Sequence, residues 1–281
     1  MSNTETSEAA SFQAILTHVA QGVSYSSASL LGNFESDLWF PNYRTARIGP
    51  WSVRVIAMAG IRGYWGDVYR VTGTIVLTGP GKNGTTTWMA MTPSEIESQE
   101  IGLRSAHGHT VVLGLGMGWL AANVALRPEV DHVTVVERDR DIIEMVNFSG
   151  IFAQLPKPAR DKLEIVQEDA LAWRPSGPVD TLQADIWARF IEDNKLQDIR
   201  RMQENIRADV VYFWGQEMEI WRFACHREGS QPALDWPLVR DIVAEDIRLP
   251  LLLPSWRDYP QKIAAAAQWW TPHEPGWWQT F

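Results

Sequence analysis

Residues 108–145, GHTVVLGLGMGWLAANVALRPEVDHVTVVERDRDIIEM, hold the densest grouping of side chains and backbone turns able to do chemistry. The apolar run Val111-Val112-Leu113 stops at Gly114, and Gly116 and Gly118 follow at a spacing of two. Glycine accepts positive φ and has no Cβ, so such a turn can fold tightly while a ligand comes close to the backbone. Glu137 stands 19 residues beyond Gly118, at the end of the β-branched run Val133 to Val136. A carboxylate there can accept hydrogen bonds from both hydroxyls of a ribose. To position these groups the chain needs a strand, a glycine turn, a helix and a second strand. A short apolar run ending at glycine suits a strand covered on both faces in a parallel sheet. Trp119 to Leu126 is good helix material, and Arg127-Pro128 ends it. This unit predicts a site for an adenosine-bearing cofactor.

The spacing narrows the cofactor. A dinucleotide fingerprint places a small residue at its third glycine position, so that helix packs closely on strand. Here that position is Trp119, and the glycine comes one residue earlier, giving G-x-G-x-G. The pattern resembles motif I of the class I S-adenosylmethionine-dependent methyltransferases. The resemblance continues for about 80 residues. VVERDRDIIEM (135–145) looks like the acidic motif of the spermidine-synthase-like branch, KLEIVQEDALAW (162–173) like the third signature, and VDTLQADIW (179–187) like the fourth strand. It implies that Gly114, Gly116, Met117 and Gly118 form the cofactor turn, and that Glu137 holds the ribose with Arg138 and Asp139 beside it. Glu168, Asp169 and Ala170 would form the adenine turn, where the aspartate meets the amino group. Asp185 would occupy the position that acts on the attacking amine in aminopropyltransferases. Two departures point away from polyamine chemistry. Met117 stands where those enzymes have the aspartate of Gly-Gly-Gly-Asp-Gly-Gly, and Asp185-Ile186-Trp187-Ala188 stands for their Asp-Ser-Ser-Asp.

The fold class predicted is α/β, a Rossmann-like doubly wound and mainly parallel sheet preceded by a small antiparallel β module. Four regions are expected: a tail with a short helix at Ser11 to Ala20 (1–34), the β module (35–91), the cofactor domain (92–235) and a helical, tryptophan-rich extension (236–281). Ser24 to Ser29 reads as loop. In the module, Trp51 to Ile56 and Tyr69 to Thr78 alternate, and GPGKNG (79–84) is a dense turn signal before a partner strand to Met91. Thr92-Pro93-Ser94-Glu95 reads as a helix start, with Glu95 closing a capping box. The helix corresponding to it in the related synthases lines the active site, which implies a second role for Glu95. Ile191 to Arg207 reads as a helix, Asp209 to Trp214 as a fifth strand and Gly215-Gln216-Glu217 as its C-terminal turn. Ligands of open parallel sheets bind outside the carboxyl ends of the strands, and Gly114, Glu137, Asp169, Asp185 and Gln216 are all expected there. No sixth or seventh strand is legible.

Composition limits the function. With 25 basic and 34 acidic residues the net charge is −9, so a nucleic-acid backbone is repelled on average. The longest apolar run, Leu249 to Leu253, is too short to span a membrane, and MSNTETSEAA lacks a signal-peptide pattern. Cys225 is single and the six histidines show no ligand spacing, so neither an intrachain disulfide nor a metal is expected, and a cytoplasmic location follows. The 15 tryptophans are either sheet packing or, for Tyr64, Trp65, Trp187 and Trp214, the wall of an acceptor pocket. The four tryptophans at the C-terminus could join subunits of a homo-oligomer. The expectation is therefore a methyltransferase using S-adenosyl-L-methionine on a small-molecule acceptor. Asp185 is the candidate base, with a cofactor-binding or structural carboxylate as its nearly equal alternative, and Glu217 is a weaker base; Glu95, Trp187, Trp214 and Gln216 are the candidate substrate contacts. An aminopropyltransferase and a non-catalytic cofactor-binding scaffold are the alternatives.

Overall fold

The computed structural model describes residues 22–82 and 84–272, together with Trp278. The helix expected at Ser11 to Ala20 lies outside these residues. In chain order the first part holds β1 (Ser24–Ser26), α1 (Ser27–Leu30), β2 (Asn42–Arg44), β3 (Ala46–Ile48), β4 (Trp51–Ala57), β5 (Ile61–Arg62), β6 (Val68–Tyr69), β7 (Gly73–Gly81) and β8 (Gly84–Ala90). After it come α2 (Pro93–Ser105), β9 (Gly108–Leu113), α3 (Trp119–Leu126), β10 (Val130–Val136), α4 (Arg140–Ser149), α5 (Lys157–Arg160), β11 (Leu163–Val166), β12 (Thr181–Ala184), α6 (Lys195–Ile206) and β13 (Val210–Phe213). The chain then runs through α7 (Gln216–Glu228), α8 (Trp236–Asp241, continued by π-helical turns to Ile247) and α9 (Tyr259–Trp270).

The parallel sheet has the order β11-β10-β9-β12-β13, and every neighbouring pair is parallel. The first strand in sequence lies in the middle, so the chain direction switches between β9 and β12 and leaves a crevice at their C-terminal ends. Val111 and Leu113 face one buried cluster and Val112 the other, with all three fully buried. That two-sided burial is why β9 reads as an unbroken apolar run. A four-stranded antiparallel sheet, β3-β4-β7-β8, precedes it. Its Trp51, Val53, Ile75 and Leu77 share one continuous core with Val112, Trp119 and Val133. The module therefore covers one face of the parallel sheet.

Trp119 explains the departure from a dinucleotide turn. Its ring is fully buried, stacks on Phe40, and donates from Nε1 to the Trp39 carbonyl at 2.9 Å. One turn on, Asn123 accepts from the Trp39 backbone N–H at 2.9 Å and donates back to the Trp39 carbonyl at 3.0 Å. The start of α3 is bulky because it fastens the Trp39–Phe40 segment, ahead of β2, to the parallel-sheet fold.

Several local expectations are corrected. Ser24 to Ser29 is β1 and the start of α1; β1 pairs antiparallel with β2, a long-range partner invisible in a serine-rich stretch. The GPGKNG signal is mostly strand, for β7 and β8 pair as far as Gly81 with Gly84. α6 starts four residues later than Ile191. Gly215 to Glu217 is not a free turn: Gly215, at φ 81°, caps α7, which begins at Gln216. At the outer edge of β13, Leu251 forms a single parallel bridge with Val211, held by Val211 N–H to Pro250 O at 2.9 Å and Leu252 N–H to Val211 O at 2.7 Å. Among the described residues that bridge is all that extends the sheet beyond five strands. None of the described helices is long and apolar enough to cross a membrane.

Candidate active site

The C-terminal ends of β9, β10, β11 and β12 open into one cavity of about 270 Å³. Gly114, Gly116, Glu137, Arg138, Asp139, Asp169, Ala170, Asp185 and Trp187 reach its wall, as does Glu95 from α2. Leu77, Trp88 and Met89 of the β7–β8 hairpin close it from the module side.

The glycine turn is set by close backbone approach. Gly114 has φ 93°, and a Cβ there would stand 2.1 Å from the Asp185 carbonyl oxygen. That contact joins β9 to β12 at the switch point. Gly116, at φ 51°, faces Met89, whose sulfur would be 3.0 Å from a Cβ. Glu137 is oriented by two backbone donors, Leu115 N–H at 3.0 Å and Asp139 N–H at 2.8 Å. Asp139 caps α4 through the Asp141 N–H at 2.9 Å and accepts from Trp51 Nε1 at 2.8 Å. Its carboxylate thereby ties β4 of the module to the cofactor strand. Asp169 accepts from the Leu171 N–H at 2.9 Å and so shapes its own turn.

The opposite wall is built from distant elements. Thr92 caps α2 by accepting from the Glu95 N–H at 3.3 Å, while the Thr92 N–H goes to the Ala90 carbonyl. Only half of the predicted capping box forms, because the Glu95 side chain turns into the cavity instead. Gln99, one turn along the same face, donates to Asp185 Oδ2 at 2.6 Å. α2 can lie close enough because it crosses β13 at Gly102, where a Cβ would be 2.4 Å from the Tyr212 ring. Gln183 of β12 adds a hydrogen bond to the Gly102 carbonyl at 2.8 Å.

This arrangement sets the charge. Burial pushes the Asp185 carboxyl up to about 7, opposed by the Lys195 charge and the Gln99 hydrogen bond. Burial first, and then the Asp185 charge, holds Glu95 well above the usual carboxylate range. Two carboxyls that share a desolvated wall cannot both ionise cheaply. Glu95 is thereby biased toward its protonated form, and Asp185, at about 7, sits close to its midpoint near neutral pH, the condition for accepting a proton from a substrate.

Other candidates lie elsewhere. Met117 donates its backbone N–H to Met89 Sδ at 3.3 Å, and Gly118 packs against Val146, Ile151 and Phe152; neither forms the wall. Glu168 is exposed beside Asp169. Trp214 is buried away from the cavity, its Nε1 donating to Ser98 Oγ at 2.9 Å. Gln216 is fully buried and donates to the Leu252 carbonyl at 2.9 Å, so it joins the chain's C-terminal part to β13 and does not line the cavity. Glu217 is likewise enclosed, accepting from Tyr64 OH at 3.0 Å and Tyr259 OH at 2.9 Å. Tyr64 packs in that separate cluster with Phe190 and Trp270, and Trp65 flanks it. Of the four aromatics considered as pocket wall, Trp187 alone is there.

Two contributors escaped the sequence reading. Gln99 carried no motif. Lys195 is fully buried, yet it falls at the helical spacing of Ile199, Met202 and Ile206, the buried face of α6; that spacing was the available signal. Among the described residues no group of histidines, cysteines and carboxylates could hold a metal ion.

No protein-family model matches the chain. It is similar to ribosomal RNA small subunit methyltransferase A of Shewanella baltica, with 24% identity over 141 residues, 49% of this chain and 46% of that protein. The chain thus spans about half the length of the curated relatives it matches. Among solved structures it is similar to the glycopeptide N-methyltransferase MtfA complexed with S-adenosyl-L-methionine, at 21% identity and TM-score 0.32 over 39% of this chain and 48% of that one. It is also similar to the methyltransferase domain of bacterial CtHen1-CN, at 19% identity and TM-score 0.35 over 42% and 65% of the two chains. Likenesses of this depth leave the chemistry to be read from the chain's own residues.

Proposed function

We propose that this chain is an S-adenosylmethionine-dependent methyltransferase acting on a small-molecule acceptor. One observation carries the reading: Glu137, Asp169 and Asp185, from three strand ends, open with the glycine turn into a single cavity. The residues fit the cofactor. Gly116 leaves room for its approach, Glu137 is held by two backbone donors in place to accept from a ribose, and Val136, Ile142 and Leu171 offer an apolar slot for the adenine. When bound, the cofactor supplies an electrophilic methyl group on a sulfonium.

Methyl transfer needs in-line approach more than it needs acid–base groups, so most of the work is positioning. Gly114 and Asp185 fix the two sides of the crevice, Trp187 walls the acceptor end, and the hairpin excludes water. An acceptor OH or NH gives up one proton as its new bond to carbon forms, and Asp185 takes it. Asp185 becomes neutral in taking it, and Glu95, whose protonated form is favoured by burial and by the Asp185 charge, adds no competing negative charge beforehand. The β module (35–91) serves as cover and the residues from 92 to 235 as cofactor domain. The name of the Shewanella baltica relative makes RNA the competing acceptor class; the net charge of −9 supports a small molecule instead.

Calorimetric titration with S-adenosylmethionine, S-adenosylhomocysteine, decarboxylated S-adenosylmethionine and NAD tests the reading. Micromolar binding of the first two is expected. Preference for the decarboxylated form would redirect it to aminopropyl transfer, and binding of none would overturn it in favour of a scaffold.

A further inference from the structure

Behind the acceptor wall lies a charged group that the proposed reaction does not use. The Lys195 ammonium has no exposure and donates all three of its hydrogens to backbone carbonyls: Arg189 at 2.8 Å, Phe190 at 2.9 Å and Trp214 at 2.9 Å. The first two belong to the segment between β12 and α6, and the third directly follows β13. The rings of Trp187 and Trp214 flank the cation at 4.8 and 5.0 Å, within the range of cation–π attraction. Trp187 is fixed further by its Nε1, which donates to Asp198 Oδ2 at 3.1 Å. The pocket is built closely around the ammonium. At Gly215, φ 81°, a Cβ would lie 2.8 Å from the Phe190 carbonyl oxygen and 3.3 Å from Lys195 Nζ.

A surface lysine would serve helix solubility; burying one is costly unless its charge and hydrogens are matched. Here both are. The groups that face it are Glu219 and Glu217 on α7, Asp185 at the end of β12 and Glu192 in the segment itself. Those three carbonyls belong to two different strand connections, so the ammonium is the point at which these connections meet.

We propose that Lys195 is the positioning residue of the acceptor wall: its ammonium pins the segment 186–194, and with it Trp187, to the end of β13, and supplies the buried positive charge that balances Asp185. It touches neither cofactor nor acceptor and acts through Trp187 and Asp185. The wall is consequently proton-sensitive from two sides. Burial draws the Lys195 ammonium down to about 8, while Glu219 and Asp185 act in the other direction. Loss of its proton removes one carbonyl contact and the attraction of both rings together. The inference rests on the cavity being the working site, but the following readouts need neither cofactor nor acceptor, so its failure is separable from failure of the methyltransferase reading.

Wild-type protein labelled with fluorotryptophan is followed by fluorine NMR from pH 6.5 to 10, with the Trp187 and Trp214 signals assigned through Trp187→Phe and Trp214→Phe. Both signals should move in one shared transition near pH 8; signals that stay flat, or move independently, overturn the proposal. In Lys195→Met, trypsin should cut the Arg189–Phe190 bond about tenfold faster than in wild type, relative to its other sites, because a held carbonyl is freed. The Asp185 carboxyl, read by carbon NMR, should titrate higher than in wild type. An unchanged cleavage rate with an unchanged Asp185 titration would reduce Lys195 to a packing residue. If Lys195→Met does not fold, the wild-type fluorine titration decides alone.

Discussion

The two ends of the cavity solve the same problem, placing carboxylates at strand ends, in different ways. At the cofactor end Glu137, Asp139 and Asp169 each accept backbone N–H groups from within a few residues or from the adjacent turn. They are anchors held in place by the local fold. At the acceptor end Asp185 accepts from a side-chain amide on another element, Gln99, and shares its wall with Glu95. Burial there outweighs hydrogen bonding, and both carboxyls are pushed up. The first arrangement binds by geometry, while the second keeps a proton available near neutral pH.

The largest expected effect comes from breaking the point where the two ends meet. Gly114→Ala places a Cβ against the Asp185 carbonyl at a positive φ and should cost about 2–4 kcal/mol of stability in urea unfolding. Asp185→Asn probes the acceptor end. A carboxyl raised to about 7 in the folded chain binds its proton there while the unfolded chain has released it, so its contribution to stability falls as pH rises from about 4 to about 7. Removing the charge should make the variant roughly 1–2 kcal/mol more stable than wild type at pH 8, and equal to it near pH 4. Glu217, also raised to about 7 by burial, adds a parallel slope that Asp185→Asn leaves in place. Tyr64→Phe removes one of the hydroxyl donors to Glu217 and should destabilise by about 1–2 kcal/mol at pH 8, measured by the same unfolding curves. Smallest is Lys82→Ala, which breaks the exposed pair with Asp193 at 3.8 Å; no measurable change in unfolding midpoint is expected.

The same contrast separates what could be read in the sequence from what could not. The cofactor end is local: the glycine turn, the β-branched strand and Glu137 lie within 30 residues, so spacing alone implied their meeting. Asp169 and Asp185 were legible because each follows a short strand. The acceptor end is assembled across the chain. Glu95 read as a cap because its helix start is a real one, and only the fold shows its carboxyl spent elsewhere. Gln99 meets Asp185 across 86 residues, and no periodicity encodes that contact. Gln216 and Trp214 both stand at a strand end, yet Gln216 is turned to Leu252 and Tyr259 and Trp214 to Ser98 and Phe190, partners distant in sequence. Lys195 sat on an apolar helix face in plain sight, but a lysine there reads as surface until its carbonyl partners are known.

The most direct test measures S-adenosylhomocysteine affinity by calorimetry in wild type, Glu137→Ala and Asp185→Asn side by side. Loss of the proposed ribose contacts should weaken binding about 100-fold in Glu137→Ala, while Asp185→Asn should stay within about threefold of wild type if its carboxylate serves the acceptor as proposed. Equal losses in both variants, or tight binding that survives Glu137→Ala, would contradict the division of the cavity into a cofactor end and an acceptor end.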